Sequence, residues 1–261
     1  MAQRPDLFEQ ACAELEVDPF ERIAEGTRFA QPAIYCASLA HWRQAGSPRG
    51  DLVCGHSLGE LAALVAGGAL EAGAGLRLAI VRGHLMDEAA DERPGAMLAL
   101  LGGDEEAREL AARFGLAVAN ENAPGQLVVS GEADAVSRAR KEARAIGLKA
   151  ILLPVSGAFH TPMMAAAAER FRLSLESVPF SPPVVPVISS TAAAPFADVR
   201  DGLAAALTQP VIWTKTLRWL HDRGVDCFFE TGPGEILTGL VRRTLPDVEA
   251  RTLAAAEAAH A

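Results

Sequence analysis

Residues 55–60 read GHSLGE and have the spacing of a serine nucleophile held at a sharp turn. The apolar segment 51–54 before them is typical of a β-strand, and segment 61–66 after them is rich in helix formers. A G-x-S-x-G motif between a strand and a helix presents the serine hydroxyl at the positive end of the helix. Ser57 is therefore the candidate nucleophile. The alternative is a tight turn that contains a serine by chance.

A serine hydroxyl becomes a good nucleophile when a nearby base accepts its proton, and histidine is the usual base near neutral pH. His160 follows the predicted strand 149–155 through the small residues 156–158, which places it on a loop at the end of a strand. We expect His160 to be the base; the alternative is a structural loop histidine. The other histidines adjoin the serine, lie on predicted helices or lie in the tail: His56, His41, His84, His221 and His260. No acid between the two residues has a distinctive setting, so an imidazole held by a backbone carbonyl fits as well as a triad.

These residues need a scaffold, and the hydrophobic pattern predicts an α/β protein. Helices are predicted at 5–15, 31–44, 61–66, 73–90, 163–177, 213–222 and after 234, with strands at 51–54, 185–189 and 227–230. Pro32 is expected in the first turn of the second helix, where its missing N–H matters little. Residues 1–94 and 156–261 are expected to form one catalytic core.

Residues 95–155 have a different texture and are predicted to form a separate subdomain. Their order is strand 97–101, helix 104–114, strand 116–120, strand 126–130, helix 133–146 and strand 149–155. This β-α-β-β-α-β order is that of a ferredoxin-like unit. We expect it to be inserted in the larger α/β domain.

The bulk composition limits the class of protein. The chain has 261 residues, a net charge of -9, 50% hydrophobic residues and 22% charged residues, which is ordinary for a globular protein. The acidic balance argues against a nucleic-acid binder, and no apolar run reaches the length of a membrane span. Its start lacks a secretory signal, and the four separated cysteines lack metal-site spacing, so we expect a cytoplasmic protein with reduced thiols and no metal.

Several further motifs, in order along the chain, carry a resemblance to a known family. They are Gln31-Pro32-Ala33, the GHSLGE segment, Val81-Arg82-Gly83 with Met86, Asn122-x-Pro124-x-Gln126, Gly157-Ala158-Phe159-His160, Gln209-Pro210-Val211-x-Trp213 and Glu230-x-Gly232-Pro233-Gly234. From about residue 8 to residue 240 the chain resembles malonyl-CoA:acyl-carrier-protein transacylases and is similar to the acyltransferase domains of polyketide synthases. The resemblance implies an α/β-hydrolase-like core with a mainly parallel sheet plus an inserted ferredoxin-like subdomain.

The resemblance also implies a role for individual residues. Ser57 matches the acyl-accepting nucleophile, His160 its base, and Arg82 the arginine that binds the malonyl carboxylate. Guanidinium and carboxylate groups form bidentate, charge-assisted pairs, which suits this role. The alternative is that Arg82 is an exposed arginine on a helix surface. The remaining substrate-binding residues implied are Leu58 through its backbone N–H in the oxyanion hole, His56, Asn122 and Phe159. The loop 157–160 resembles the version associated with malonyl rather than methylmalonyl selection.

The implied reaction moves a malonyl group from malonyl-CoA to Ser57 and then to the phosphopantetheine thiol of an acyl carrier protein. It requires no cofactor, and we expect a monomer. Because such carriers are acidic, a basic patch is expected for docking, formed by Lys215, Arg218, Arg242 and Arg243. The alternatives are a stand-alone polyketide-synthase acyltransferase, a malonyl-loading subunit of a malonate decarboxylase, a serine thioesterase or hydrolase, and an inactive module.

The chain departs from the family pattern at its start. Family members open with a buried strand and a Phe-Pro-Gly-Gln-Gly motif, whose glutamine N–H contributes to the oxyanion hole. Neither is found before residue 8. We expect a version carrying that segment to be more stable and more active.

Overall fold

The computed structural model describes residues 6–253, so the prediction for His260 lies outside the described residues. The helices are α1 (Leu7–Leu15), α2 (Thr27–Gln44), α3 (Gly59–Ala66), α4 (Ala72–Glu92), α5 (Asp104–Arg113), α6 (Ala133–Ala145), α7 (Ala165–Glu176), α8 (Val199–Ala205), α9 (Trp213–His221) and α10 (Ile236–Thr244). The strands are β1 (Val53–Cys54), β2 (Gly95–Leu101), β3 (Ala117–Ala123), β4 (Gln126–Glu132), β5 (Lys149–Leu152), β6 (Val187–Ser189), β7 (Ala194–Pro195), β8 (Cys227–Glu230) and β9 (Glu249–Thr252).

Every predicted helix and strand is present, but some ends differ. Helix α2 begins at Thr27 rather than residue 31, so Pro32 lies inside the helix and not in its first turn. Strand β5 ends at Leu152 instead of residue 155, because Pro154 has no N–H to continue the ladder. The short elements β7, α8 and β9 were not predicted, since their sequences are too short for a hydrophobic period to emerge.

The strands form three sheets among residues 6–253. Strands β2 to β5 form an antiparallel sheet in the order β3-β4-β2-β5, which has its own core with α5 and α6. Strand β1 pairs in parallel with β6, which pairs antiparallel with β7, while β8 and β9 form a second parallel pair. Two of these three core pairings are parallel, in line with the expected mainly parallel core, but among the described residues the core strands form two sheets rather than one. The two core sheets still adjoin, because Cys54 of β1 and Phe228 of β8 pack against the same cluster.

The largest core lies between helices and surrounds the nucleophile turn. Helix α2 packs against α4, and α3 and α7 pack against α4 in turn. The side chains of Tyr35, Leu61, Leu76 and Phe171 are almost fully buried in this core. No helix of the described residues is both long enough and apolar enough to cross a lipid bilayer.

Candidate active site

Ser57 lies on the turn between β1 and α3, with a left-handed backbone (φ 52°) that is costly for a residue with a side chain. A Cβ at Gly55 would overlap the backbone of Gly59 and Glu60, so this turn requires glycine at position 55. Gly59, by contrast, has open space around it. Of the two glycines in the motif, only Gly55 is therefore required sterically.

His160 lies on the loop between β5 and α7 and also adopts a left-handed backbone (φ 59°). Its Nε2 atom is 2.9 Å from Oγ of Ser57, although 103 residues separate the two along the chain. Its Nδ1 atom is 2.8 Å from the carbonyl oxygen of Ala206 and 3.2 Å from that of Gln209. Because a carbonyl can only accept, Nδ1 carries the proton and Nε2 offers its lone pair to Ser57.

The charge state of His160 suits a proton acceptor. Burial, together with the positive charges of Arg82 and His56, lowers the pKa of His160 to about 3. The imidazole is therefore neutral near pH 7. No carboxylate of the described residues contacts it, so the two carbonyls take the orienting position that an acid has in a triad.

Arg82 brings a buried positive charge to the nucleophile. This side chain of α4 is 4% exposed, and its Nη2 atom donates to Oγ of Ser57 at 3.1 Å. Its Nη1 atom donates to Oε1 of Gln31 at 2.7 Å, and Gln31 in turn donates to Oγ1 of Thr27 at 2.9 Å. Burial lowers the pKa of Arg82 to about 10, which leaves it cationic near pH 7. The exposed-arginine alternative is excluded.

A second pair of predicted residues borders the serine. Nε2 of His56 is 2.8 Å from Oδ1 of Asn122 on β3, and the His56 ring meets the Trp213 ring edge-on at 5.4 Å between centroids. Burial lowers the pKa of His56. Among the described residues the His56 ring forms no hydrogen bond to Ser57, so His160 and not His56 is placed to accept the proton of the serine.

Two further predicted residues flank the catalytic pair. Leu58 is the residue before α3, and its N–H donates to no acceptor among residues 6–253. Phe159 precedes His160 but is 8% exposed and belongs to the main hydrophobic core. Its part in selecting the acyl group stays a prediction.

Sequence reasoning left open a backbone carbonyl as the partner of the imidazole, which is the arrangement found, but it did not identify the residues that hold the pair in place. The carbonyls of Ala206 and Gln209 carry no side-chain signal, although Gln209 belongs to a motif already singled out. Gln31 also belongs to such a motif, and its signal is a polar residue on the apolar, buried face of α2.

The arrangement is suited to transfer of an acyl group. A serine hydroxyl with a neutral base beside it can attack a carbonyl carbon. An unpaired backbone N–H next to the serine can donate to the oxyanion that results. The described residues contain no group of three or more His, Cys, Asp or Glu side chains that could hold a metal ion.

Comparisons with known proteins agree with this chemistry. A model of the acyl transferase domain family matches residues 17–257, and the chain belongs to this family. It is 36% identical over 267 residues to the malonyl CoA-acyl carrier protein transacylase of Salmonella typhimurium, covering 95% of this chain and 86% of that protein.

Two solved structures have a similar fold. The malonyl-CoA:acyl carrier protein transacylase of Xanthomonas oryzae superposes with a TM-score of 0.90 at 35% identity, covering 97% of this chain and 88% of the other. A malonyl-transacylase in complex with a type II PKS acyl-carrier protein superposes with a TM-score of 0.87 at 33% identity, covering 94% and 86%. The family predicted from the motifs is confirmed, and the fold is mixed α/β.

Proposed function

We propose that this chain transfers a malonyl group from malonyl-CoA to the thiol of an acyl carrier protein through an acyl-serine intermediate. The observation that carries the proposal is that Oγ of Ser57 lies within hydrogen-bond distance of both Nε2 of His160 and Nη2 of Arg82. The nucleophile thus contacts a base on one side and a buried cation on the other. The names of the similar proteins support the same donor and acceptor.

In the first half-reaction, Oγ of Ser57 attacks the thioester carbonyl of malonyl-CoA while its proton passes to Nε2 of His160. The N–H of Leu58 donates to the oxyanion that forms. The C–S bond then breaks, and the leaving thiolate of coenzyme A takes the proton back from His160. In the second half-reaction the carrier thiol gives its proton to Nε2 of His160 and attacks the carbonyl of the seryl ester. The C–O bond then breaks, and Oγ of Ser57 takes the proton back from His160, which restores the neutral base.

Arg82 accounts for the choice of a malonyl group. The free carboxylate of a malonyl group can pair with the guanidinium. An acetyl group has no such carboxylate and leaves a buried cation without a partner, which is costly. Gln31 holds Nη1, so the guanidinium is already oriented before the carboxylate arrives. His56, which adjoins Ser57 in the chain, and its hydrogen-bond partner Asn122 are proposed to contact the substrate.

The finer description of the fold is also a proposal. We infer that residues 95–155 form a ferredoxin-like subdomain on an α/β-hydrolase-like core. The strand order β3-β4-β2-β5, all antiparallel, and the separate core that these strands share with α5 and α6 support this inference. The catalytic core then comprises residues 1–94 and 156–261.

The carrier is proposed to dock beside helices α9 and α10. Lys215 and Arg218 are exposed on α9, which begins at Trp213 next to His56. Arg242 and Arg243 are exposed on α10, but Arg242 donates to the carbonyl of Ala250 and Arg243 to Gln126. Lys215 and Arg218 are therefore the better candidates for contact with an acidic carrier.

Covalent loading tests the proposed function. The protein incubated with malonyl-CoA should gain the mass of one malonyl group in intact-protein mass spectrometry, and Ser57→Ala should gain none. Ser181→Ala, which alters an exposed serine, is the matched control and should load normally. Loading of Ser57→Ala at the parent level would remove Ser57 from the reaction.

A second candidate acceptor is a carrier of polyketide synthesis, which the similarity to a malonyl-transacylase bound to its type II PKS carrier favours. Holo carriers of fatty-acid and polyketide type, offered together to the malonyl-loaded protein, distinguish the two acceptors. Release of malonate to water in the presence of both carriers would instead indicate a hydrolase.

A further inference from the structure

Glu60 is a buried acid that the proposed reaction does not use. It is 1% exposed and lies three residues after the nucleophile, where its N–H donates to the carbonyl of Ser57 at 3.1 Å. Its position in the first turn of α3 is therefore tied directly to the turn that carries the serine. A buried carboxylate is costly unless other groups stabilise its charge, so its partners define its role.

The partners of Glu60 lie at the end of the neighbouring strand. Its Oε1 atom accepts the N–H of Ser190 at 2.7 Å and the hydroxyl of Ser190 at 3.0 Å. Ser190 directly follows β6, the strand that pairs in parallel with β1. The side chain of Ser189, the last residue of β6, also hydrogen-bonds to this carboxylate. No lysine or arginine of the described residues lies within 4 Å of it, so its close contacts come from Ser189 and Ser190.

Ser190 continues this connection toward the base. Its carbonyl accepts the N–H of Ile212 at 2.8 Å. Ile212 ends the short segment 209–212, which begins with Gln209, one of the two carbonyl acceptors of His160. Val211 in the same segment bonds to β3 on both sides, through Ala119 and Glu121. The segment that orients His160 is thus held between β3 and Ser190.

We propose that Glu60 is a positioning residue that connects the nucleophile turn to the segment that orients the base. Its carboxylate holds Ser190, Ser190 holds Ile212, and the carbonyl of Gln209 holds His160. The proposal rests on the proposed function, because the role given to Glu60 is to keep Ser57 and His160 within hydrogen-bond distance of each other. A carboxylate accepts stronger hydrogen bonds than a neutral acceptor, so the connection is firm only while Glu60 is ionised.

The environment of Glu60 places this ionisation near neutral pH. Burial raises the pKa of Glu60 to about 7. The hydrogen bonds from Ser190, the charge of Arg82 and the hydrogen bond from Ser189 act in the opposite direction and lower this pKa. The other ionisable groups that face Glu60 are Arg82 on α4, with a pKa of about 10, and Cys54 on β1, with a pKa of about 12. His160, with a pKa of about 3, is neutral throughout the range from pH 5.5 to 8.5. Of these groups, only Glu60 titrates in that range.

Labelling of Ser57 by an uncharged fluorophosphonate tests the proposal without malonyl-CoA. We expect the labelling rate of the parent to rise with pH through an inflection near 7, as Glu60 loses its proton. Glu60→Gln keeps an acceptor oxygen but no charge, so it should be about tenfold slower than the parent at pH 8 and show no inflection. Glu109→Gln removes an exposed carboxylate on α5 and should behave as the parent does.

A second variant keeps the proposal testable if Glu60→Gln does not fold. Ser190→Ala removes one hydrogen bond that lowers the pKa of Glu60, so the inflection should move to higher pH. A Glu60→Gln protein with the parent rate and the parent inflection would overturn the proposal, as would an unmoved inflection in Ser190→Ala. Normal labelling profiles without malonyl loading would contradict the proposed function and leave the role of Glu60 standing.

Discussion

The two residues of the proposed catalytic pair share a strained backbone. Ser57 and His160 both have positive φ values, a conformation that costs a non-glycine residue roughly 1–3 kcal/mol. The surrounding hydrogen bonds hold them there: Gly59 donates to the carbonyl of His56, and the hydroxyl of Thr161 donates to the carbonyl of Ala158 at 2.7 Å. In these backbone conformations the side chains of Ser57 and His160 meet at Oγ of Ser57, which Nη2 of Arg82 also contacts.

Arg82 provides the prediction that belongs to this scale. Arg82→Ala should reduce transfer of malonyl by roughly a hundredfold or more, because removing one partner of a buried ion pair costs about 3–5 kcal/mol. Transfer of acetyl should improve relative to malonyl, since the neutral group no longer meets an unpaired cation. The ratio of kcat/KM for malonyl-CoA and acetyl-CoA measures both effects.

Arg77→Ala is the matched control for this ratio. Arg77 lies on the same helix, α4, but its side chain is half-exposed and 3.9 Å from Glu14. The control should leave the ratio unchanged. An unchanged ratio in Arg82→Ala as well would show that another group binds the malonyl carboxylate.

At the scale of the elements, the site depends on how closely α3 approaches the end of β1. The turn between them is tight enough that the Cα of Gly55 faces the backbone of Gly59 without room for a side chain. Strand β6 holds the other side, because it pairs with β1 and leads to Ser190, the partner of Glu60. The position of Ser57 therefore follows from one strand–turn–helix unit and its neighbour.

Gly55→Ala tests the tightness of this turn. The new methyl group would overlap backbone atoms, which cannot rotate away as a side chain can. Overpacking of this kind typically lowers the free energy of unfolding by about 1–3 kcal/mol. We therefore expect a lower melting temperature and at least a tenfold loss of malonyl loading. Gly59→Ala has open space and should retain loading and stability. Melting temperature and loading by mass spectrometry are the measurements. Equal behaviour of the two variants would mean that the turn is looser than described.

At the scale of the whole molecule, the distribution of charge matters more than its sum. A chain with a net charge of -9 repels an acidic carrier unless a local region is basic. Lys215 and Arg218 provide such a region on α9, whose first residue contacts His56 beside the nucleophile.

Reversing these two charges tests the docking region. Lys215→Glu with Arg218→Glu should raise the KM for the carrier by roughly tenfold, and more at low salt, while the rate of loading by malonyl-CoA stays within about twofold of the parent. Arg138→Glu with Lys141→Glu on α6 makes the same change in net charge on an exposed helix of the small sheet and should leave both quantities unchanged. Equal loss with both substrates in the α9 variant would indicate a folding defect instead.

The sequence by itself determined the local features of this protein. The GHSLGE motif between a strand and a helix identified Ser57, and the period of apolar residues located the predicted helices and strands, because both signals lie within a few neighbouring residues. It also supplied His160 as the candidate base, through its place on a loop after a strand. The family followed from the order of several such local motifs.

Tertiary structure alone decided how these residues meet. The carbonyls of Ala206 and Gln209 orient His160 across more than 40 residues, Gln31 orients Arg82 across 51 residues, and Ser190 holds Glu60 across 130 residues. Backbone carbonyls carry no residue-specific signal, and the pairing of distant side chains depends on how helices and strands pack. For the same reason the arrangement of the core strands in two sheets could not be read from a pattern of single strands.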